Sequence, residues 1–76
     1  MADGVRRGRV RLFHADEGWG VITSKGGPGD VWVHYSMIEG TGYRALAEGD
    51  LVEFSFEPAT QDSWRYRATW VRRLDP

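Results

Sequence analysis

Trp19, Trp32 and His34 are the side chains best suited to hold a flat ligand. They lie in the stretch E-G-W-G-V-I-T-S-K-G-G-P-G-D-V-W-V-H-Y, residues 17–35, which reads as two short extended runs joined by a Gly-Pro turn. Successive side chains of a strand point to opposite faces, so Trp19, Val21 and Thr23 oppose Gly20, Ile22 and Ser24. In the second run Trp32 and His34 oppose Val31, Val33 and Tyr35. Matching the apolar faces sends Ile22, Val31 and Val33 to a core and leaves Trp19, Val21, Trp32 and His34 outward. Outward tryptophans are unfavourable unless they bind something. Bases of a single strand stack on such a row, and that is the chemistry this spacing serves. Trp19 and Trp32 as core residues is the competing reading, and their parity opposite the valines counts against it. His34 fits either the platform or a capped surface position. Tyr35 is inward by parity but stands at a strand end.

Other chemistry is poorly supplied. His14 and His34, without cysteines or a clustered carboxylate, do not make a closed metal site. Ser36 beside His34 lacks the third, orienting group of a nucleophile system. The glycine-rich run 26–29 is followed by no helix and lacks the Lys-Ser/Thr of a phosphate-binding loop. The expectation is a protein that is not an enzyme and carries no cofactor and no metal.

The elements that must position these residues are short strands. With 76 residues the chain suffices for one small domain. It has no cysteine, so disulfides are excluded and a reducing, cytoplasmic setting fits. It has no signal-peptide pattern at its start and no apolar run of membrane-spanning length. Residues 1–7 are expected to be a flexible N-terminus and 8–74 the domain. Strands are expected over 8–13, 19–24, 31–35, 51–57 and 64–74, with a helical turn at 36–38 capped by Ser36. The first carries Val10 and Leu12 on one face against Arg9, Arg11 and Phe13. The fourth places Val52, Phe54 and Phe56 in the core. The fifth alternates Trp64, Tyr66, Ala68 and Trp70 with Arg65, Arg67, Thr69 and Val71, and a bulge midway would switch its parity. Phe13 and Tyr43 fit either the core or the platform's edge. Five short strands in so few residues point to an all-β, five-stranded antiparallel OB-fold barrel, whose second and third strands commonly form the binding face.

Net charge is −1, but it is unevenly spread. Residues 1–13 carry four arginines against Asp3, and residues 64–76 carry four against Asp75. The segment between holds Lys25 and Arg44 against nine acids. In a closed barrel the two basic ends could meet as one positive face; the alternative is arginines that merely solubilise exposed strands.

The sequence resembles the bacterial cold-shock domain proteins over roughly residues 8–74. Gly18-Trp19-Gly20-Val21-Ile22 is similar to that family's first RNA-binding motif, and Val31-Trp32-Val33-His34-Tyr35 to its second. Ser36-Met37-Ile38, Gly42-Tyr43-Arg44-Ala45-Leu46, Glu48-Gly49 and Val52-Glu53-Phe54 match its flanks. The resemblance implies an OB-type barrel that binds single-stranded RNA or DNA with little sequence preference, acting as an RNA chaperone or antiterminator in the stress response. Carried over by position, Trp19, Trp32, His34, Tyr35 and Tyr43 would stack, with Phe13 at the margin, and Arg9, Arg11 and Arg44 would lie beside the backbone. The final strand carries Trp64-Arg65-Tyr66-Arg67-Ala68 where the family has Gly-Pro-Gln-Ala, and three single positions also depart from the pattern. Leu12 replaces a surface tryptophan, Val21 a phenylalanine, and Glu17 a lysine. A monomer is expected. Because of these departures the other expectation is a diverged barrel whose exposed aromatics bind a protein partner.

Overall fold

The computed structural model describes residues 5–24, 29–40, 45–61 and 64–74. Its strands are β1 (Val5–His14), β2 (Trp19–Ser24), β3 (Gly29–His34), β4 (Leu51–Gln61) and β5 (Trp64–Arg73), with a single 3-10 turn at Tyr35–Met37 after β3. They close into a barrel in the order β1-β2-β3-β5-β4, and β4 returns to β1. This is the five-stranded all-β barrel that the alternation implies. Four of its joints are antiparallel, whereas β3 meets β5 in parallel, with Trp32 opposite Arg67. An odd number of strands cannot alternate direction all the way round a ring, so one joint must be parallel.

β1 is long because it serves two neighbours. Its first half pairs with β4 and its second with β2, and Arg9 takes part in both registers. Strand structure therefore begins at Val5: Val5, Arg6 and Arg7, placed by the sequence in the N-terminal segment, pair with Ser55, Phe54 and Glu53. The core is that of the alternation. Ile22, Val31, Val33, Val52 and Phe54 are fully buried, and Phe56 packs partly buried against them. Each such side chain contributes about 1.5–3 kcal/mol relative to an exposed position.

One bulge changes the expected faces of β1, and a second is the midway switch of parity that the alternation allowed in β5. In β1, Val10 pairs with Ile22 and Leu12 with Val21, leaving Arg11 as the extra residue. Val10 therefore stays in the core while Leu12 turns outward, and Phe13 turns inward to pack against the core cluster. In β5, Phe56 pairs with Ala68 and Ser55 with Trp70, so Thr69 is extra. Ala68 and Val71, of opposite parity, are consequently both buried.

The basic ends meet only in part: Arg7 and Arg9 of β1 and Arg73 of β5 line one cleft, and the rest do not form a single positive face. β4 lies between β1 and β5, and its acids meet their arginines. Glu53 takes Arg7 at 3.7 Å and Arg72 at 2.6 Å, and Glu57 takes Arg67 at 2.6 Å. The hydrogen bond and charge of Glu53 raise the Arg72 pKa above its ordinary value.

Candidate nucleic-acid interface

The outer surface of β1, β2 and β3 presents two cross-strand rows. In one, His14 pairs with Trp19 and Trp19 with His34; in the next, Leu12 pairs with Val21 and Val21 with Trp32. Residues directly opposite across a ladder share a face, so these six side chains stand on the same side of the sheet. The rings touch in two groups. His14 and Trp19 lie 4.7 Å apart, tilted by 54°. Trp32 and His34 lie 5.9 Å apart at only 25°, close to parallel, and His34 continues to Tyr35 at 4.6 Å. Trp19, Trp32 and His34 are half-buried and Tyr35 is exposed, so the ring faces remain reachable.

Local bonds fix these rings. Gly18 closes the turn before β2 with φ +79° and donates to the His14 carbonyl at 2.7 Å. Its own carbonyl accepts from the Tyr35 N–H at 2.8 Å. A Cβ on Gly18 would lie 2.9 Å from the Tyr35 ring, so only glycine permits both this backbone angle and that approach. The Ser36 backbone N–H donates to His34 Nδ1 at 3.3 Å, and the Ser36 hydroxyl lies 2.8 Å from the same nitrogen. An Nδ1 that accepts the backbone bond leaves Nε2–H as the donor of the neutral ring. The cap of the 3-10 turn is thus His34 rather than Ser36, and Tyr35 leaves the strand as its first residue.

Glu17 has a role that charge alone does not suggest. Its carboxylate accepts the Trp19 Nε1–H at 2.9 Å and so sets the orientation of the indole. Glutamine can accept the same bond without repelling a phosphate. If a single strand lies on this face, Glu17→Gln should tighten its binding about two- to five-fold at low salt, with the gain fading as salt rises. Fluorescence titrations at two ionic strengths measure this, and a gain that persists at high salt would contradict the charge explanation.

Val21 departs from expectation. Its parity is outward, as the alternation requires, but it is fully buried and belongs to no part of the core cluster. It lies between its register partners Leu12 and Trp32 on the outer face and offers no surface to a ligand. A phenylalanine here, suggested by the missing ring, would require Leu12 or Trp32 to move aside. Phe13 turns to the core and is not on the aromatic rows. Tyr43 and Arg44 lie outside the described residues.

The two β1 arginines are engaged. Arg11 pairs with Asp30 at 2.9 Å, and Arg9 donates to the Gly49 carbonyl at 2.9 Å. His14 is the residue that sequence reasoning missed. It reads as part of a polar turn, yet it ends β1 and places its ring against Trp19. The signal was present in the spacing of Leu12 and His14, but the bulge at Arg11 disguised it. Among the described residues no group of three or more His, Cys, Asp or Glu is placed to hold a metal ion. No helix among them is long and apolar enough to cross a membrane.

The family model of the 'Cold-shock' DNA-binding domain matches residues 6–73. The chain is 41% identical over 68 residues to the probable cold shock protein A of Mycobacterium tuberculosis, covering 90% of this chain and 97% of that protein. The corresponding protein of Mycolicibacterium smegmatis is 46% identical over 68 residues, with the same coverage. The cold shock-like protein CspC of Escherichia coli K12 is 45% identical over 51 residues, 67% of this chain and 74% of its own length.

Proposed function

The chain belongs to the cold-shock domain family, and from that membership we propose that it binds single-stranded RNA or DNA on the outer face of β1, β2 and β3. The observation that carries this reading is the near-parallel pair Trp32 and His34, continued by Tyr35 and flanked by Trp19. Flat, partly exposed rings in register on a sheet accept successive bases, and stacking tolerates any base because every base has a π-face. His34 Nε2–H adds a donor for a base edge or a phosphate. Arg9 and Arg11, with Tyr43 and Arg44 from the segment after β3, complete the proposed interface. By holding bases unpaired the protein would act as an RNA chaperone or antiterminator in the cytoplasm, as a monomer and without catalysis.

Titrating tryptophan fluorescence with a short pyrimidine-rich oligonucleotide at two salt concentrations tests this. Quenching that weakens with salt supports it. Silence at high micromolar strand would favour a protein partner instead, the reading to which the arginines' pairing with acids lends weight.

Arg9 and Arg11 give a second measurement. If both reach phosphates, changing both to alanine should flatten the plot of log affinity against log salt by up to about 0.7 for each phosphate released. An unchanged slope would mean that Asp30 and Gly49 keep them.

A further inference from the structure

We propose that a second site, a cleft for phosphodiester groups, carries a bound single strand beyond the aromatic rows and across β1. This rests on the reading that those rows bind single strands. Arg7 and Arg9 of β1 and Arg73 of β5 line one cleft together with Leu51 and Leu74. A groove lined by Arg7, Arg9, Thr23, Ser24 and Leu51 adjoins it. Thr23 is the β2 residue that follows Trp19 and Val21 on the outer face, and it pairs with Arg9. The two depressions therefore form a continuous path from the end of the aromatic rows, over Arg9, to Arg73.

The chemistry of that path suits a sugar–phosphate backbone. Three guanidinium groups converge there, and among the described residues Asp50 is the one acid in its lining. Arg7 holds its acid loosely, lying 3.7 Å from Glu53 with its side chain 72% exposed, and Arg73 reaches Asp50 at 3.6 Å. The ion pairs elsewhere are tighter, at 2.6 Å for Arg67 with Glu57 and for Arg72 with Glu53, and 2.9 Å for Arg11 with Asp30. Long, exposed pairs hold little energy and yield to a phosphate, whose oxygens match the guanidinium fork. Each guanidinium has five N–H donors, so a bond to one protein acceptor leaves others for the ligand. Leu51, 37% exposed, supplies an apolar wall for the sugars.

The test compares oligothymidylates of about 6 and about 12 nucleotides on the full chain, read by tryptophan fluorescence over a range of salt. The longer strand should bind more tightly and with a steeper salt dependence. Arg7→Gln with Arg73→Gln should lower that slope by about 1.4, or about 0.7 for each phosphate released, and remove the advantage of length. Binding of the short strand should not change. Lysine at both positions should restore the slope. Circular dichroism and the thermal midpoint verify that each variant is folded, and the single Arg7→Gln variant should give about half the effect. If the short strand binds but the double change leaves the longer strand's affinity and slope intact, the cleft is overturned and the aromatic-face reading stands. If only the longer strand binds, and the double change abolishes it, the arginines bind the strand by themselves, and both the aromatic-face reading and a path leading on from it are overturned. If neither length binds, both fail.

Discussion

Replacing Trp32 with alanine should weaken single-strand binding by about 1–3 kcal/mol, a factor of about 5 to 150, while the barrel stays folded. Trp32 stands at the middle of the outer face. Val21 lies beside it on β2, His34 stacks near-parallel to it on β3, and Arg67 faces it on β5. It belongs to no part of the core cluster, so its removal takes away a stacking surface without opening the interior. Fluorescence from the remaining tryptophans, or calorimetry, gives the affinity, and a denaturant titration gives the stability. An alanine variant that binds as tightly as the parent would remove Trp32 from the interface. One that no longer unfolds cooperatively would make it a structural residue.

Gly20→Ala should destabilise the barrel by about 1–3 kcal/mol, which for a domain of this size lowers the melting temperature by about 4–8 °C per kcal/mol. Gly20 is buried and pairs with Phe13 and Val33. A Cβ there would press into the Leu12 carbonyl oxygen and come within 2.9 Å of the Phe13 Cα and 2.5 Å of its ring. Two of those obstacles are backbone, so rotating a side chain does not relieve them and β1 must move away from β2. The strain falls on the strand that carries Leu12 and His14 to the outer face, so binding should weaken with stability. A melting temperature equal to the parent's would show that the two strands already have room.

The outward row was readable because Trp19, Trp32 and His34 alternate with residues that have no other place than the core. The same reasoning fails at Arg11, and at Thr69 it allowed for a bulge without placing it. A bulge is a property of two paired strands: Arg11 is extra only relative to Val21 and Ile22 of β2, and nothing within residues 8–13 marks it. That one residue moves Leu12 out, Phe13 in, and His14 onto the aromatic row. The positive face forms only where Arg7, Arg9 and Arg73 meet, for a related reason. Charge blocks at the two chain ends say nothing of strand order, and the order places Glu53 and Glu57 of β4 between them. Val21 shows a third limit. Parity gives the side on which a residue stands, but its exposure depends on the size of its neighbours, here Leu12 and Trp32.

The parallel joint of β3 and β5 bears on how this chain would associate with copies of itself. Among the described residues its strand register is a single pair, Trp32 with Arg67, continued past β3 by the bridge of Ile38 with Val71 and the Glu39 N–H to the Val71 carbonyl, whereas the β4–β5 ladder runs from Val52 with Arg73 to Gln61 with Trp64. A ring of strands has no edge until one joint parts, and the joint with the shortest ladder parts most easily. Opening there uncovers the backbone donors and acceptors of two strands at once, which is the template on which a second molecule adds a strand or exchanges one. The joint with the shortest strand ladder therefore carries Trp32, one of the rings of the outer face.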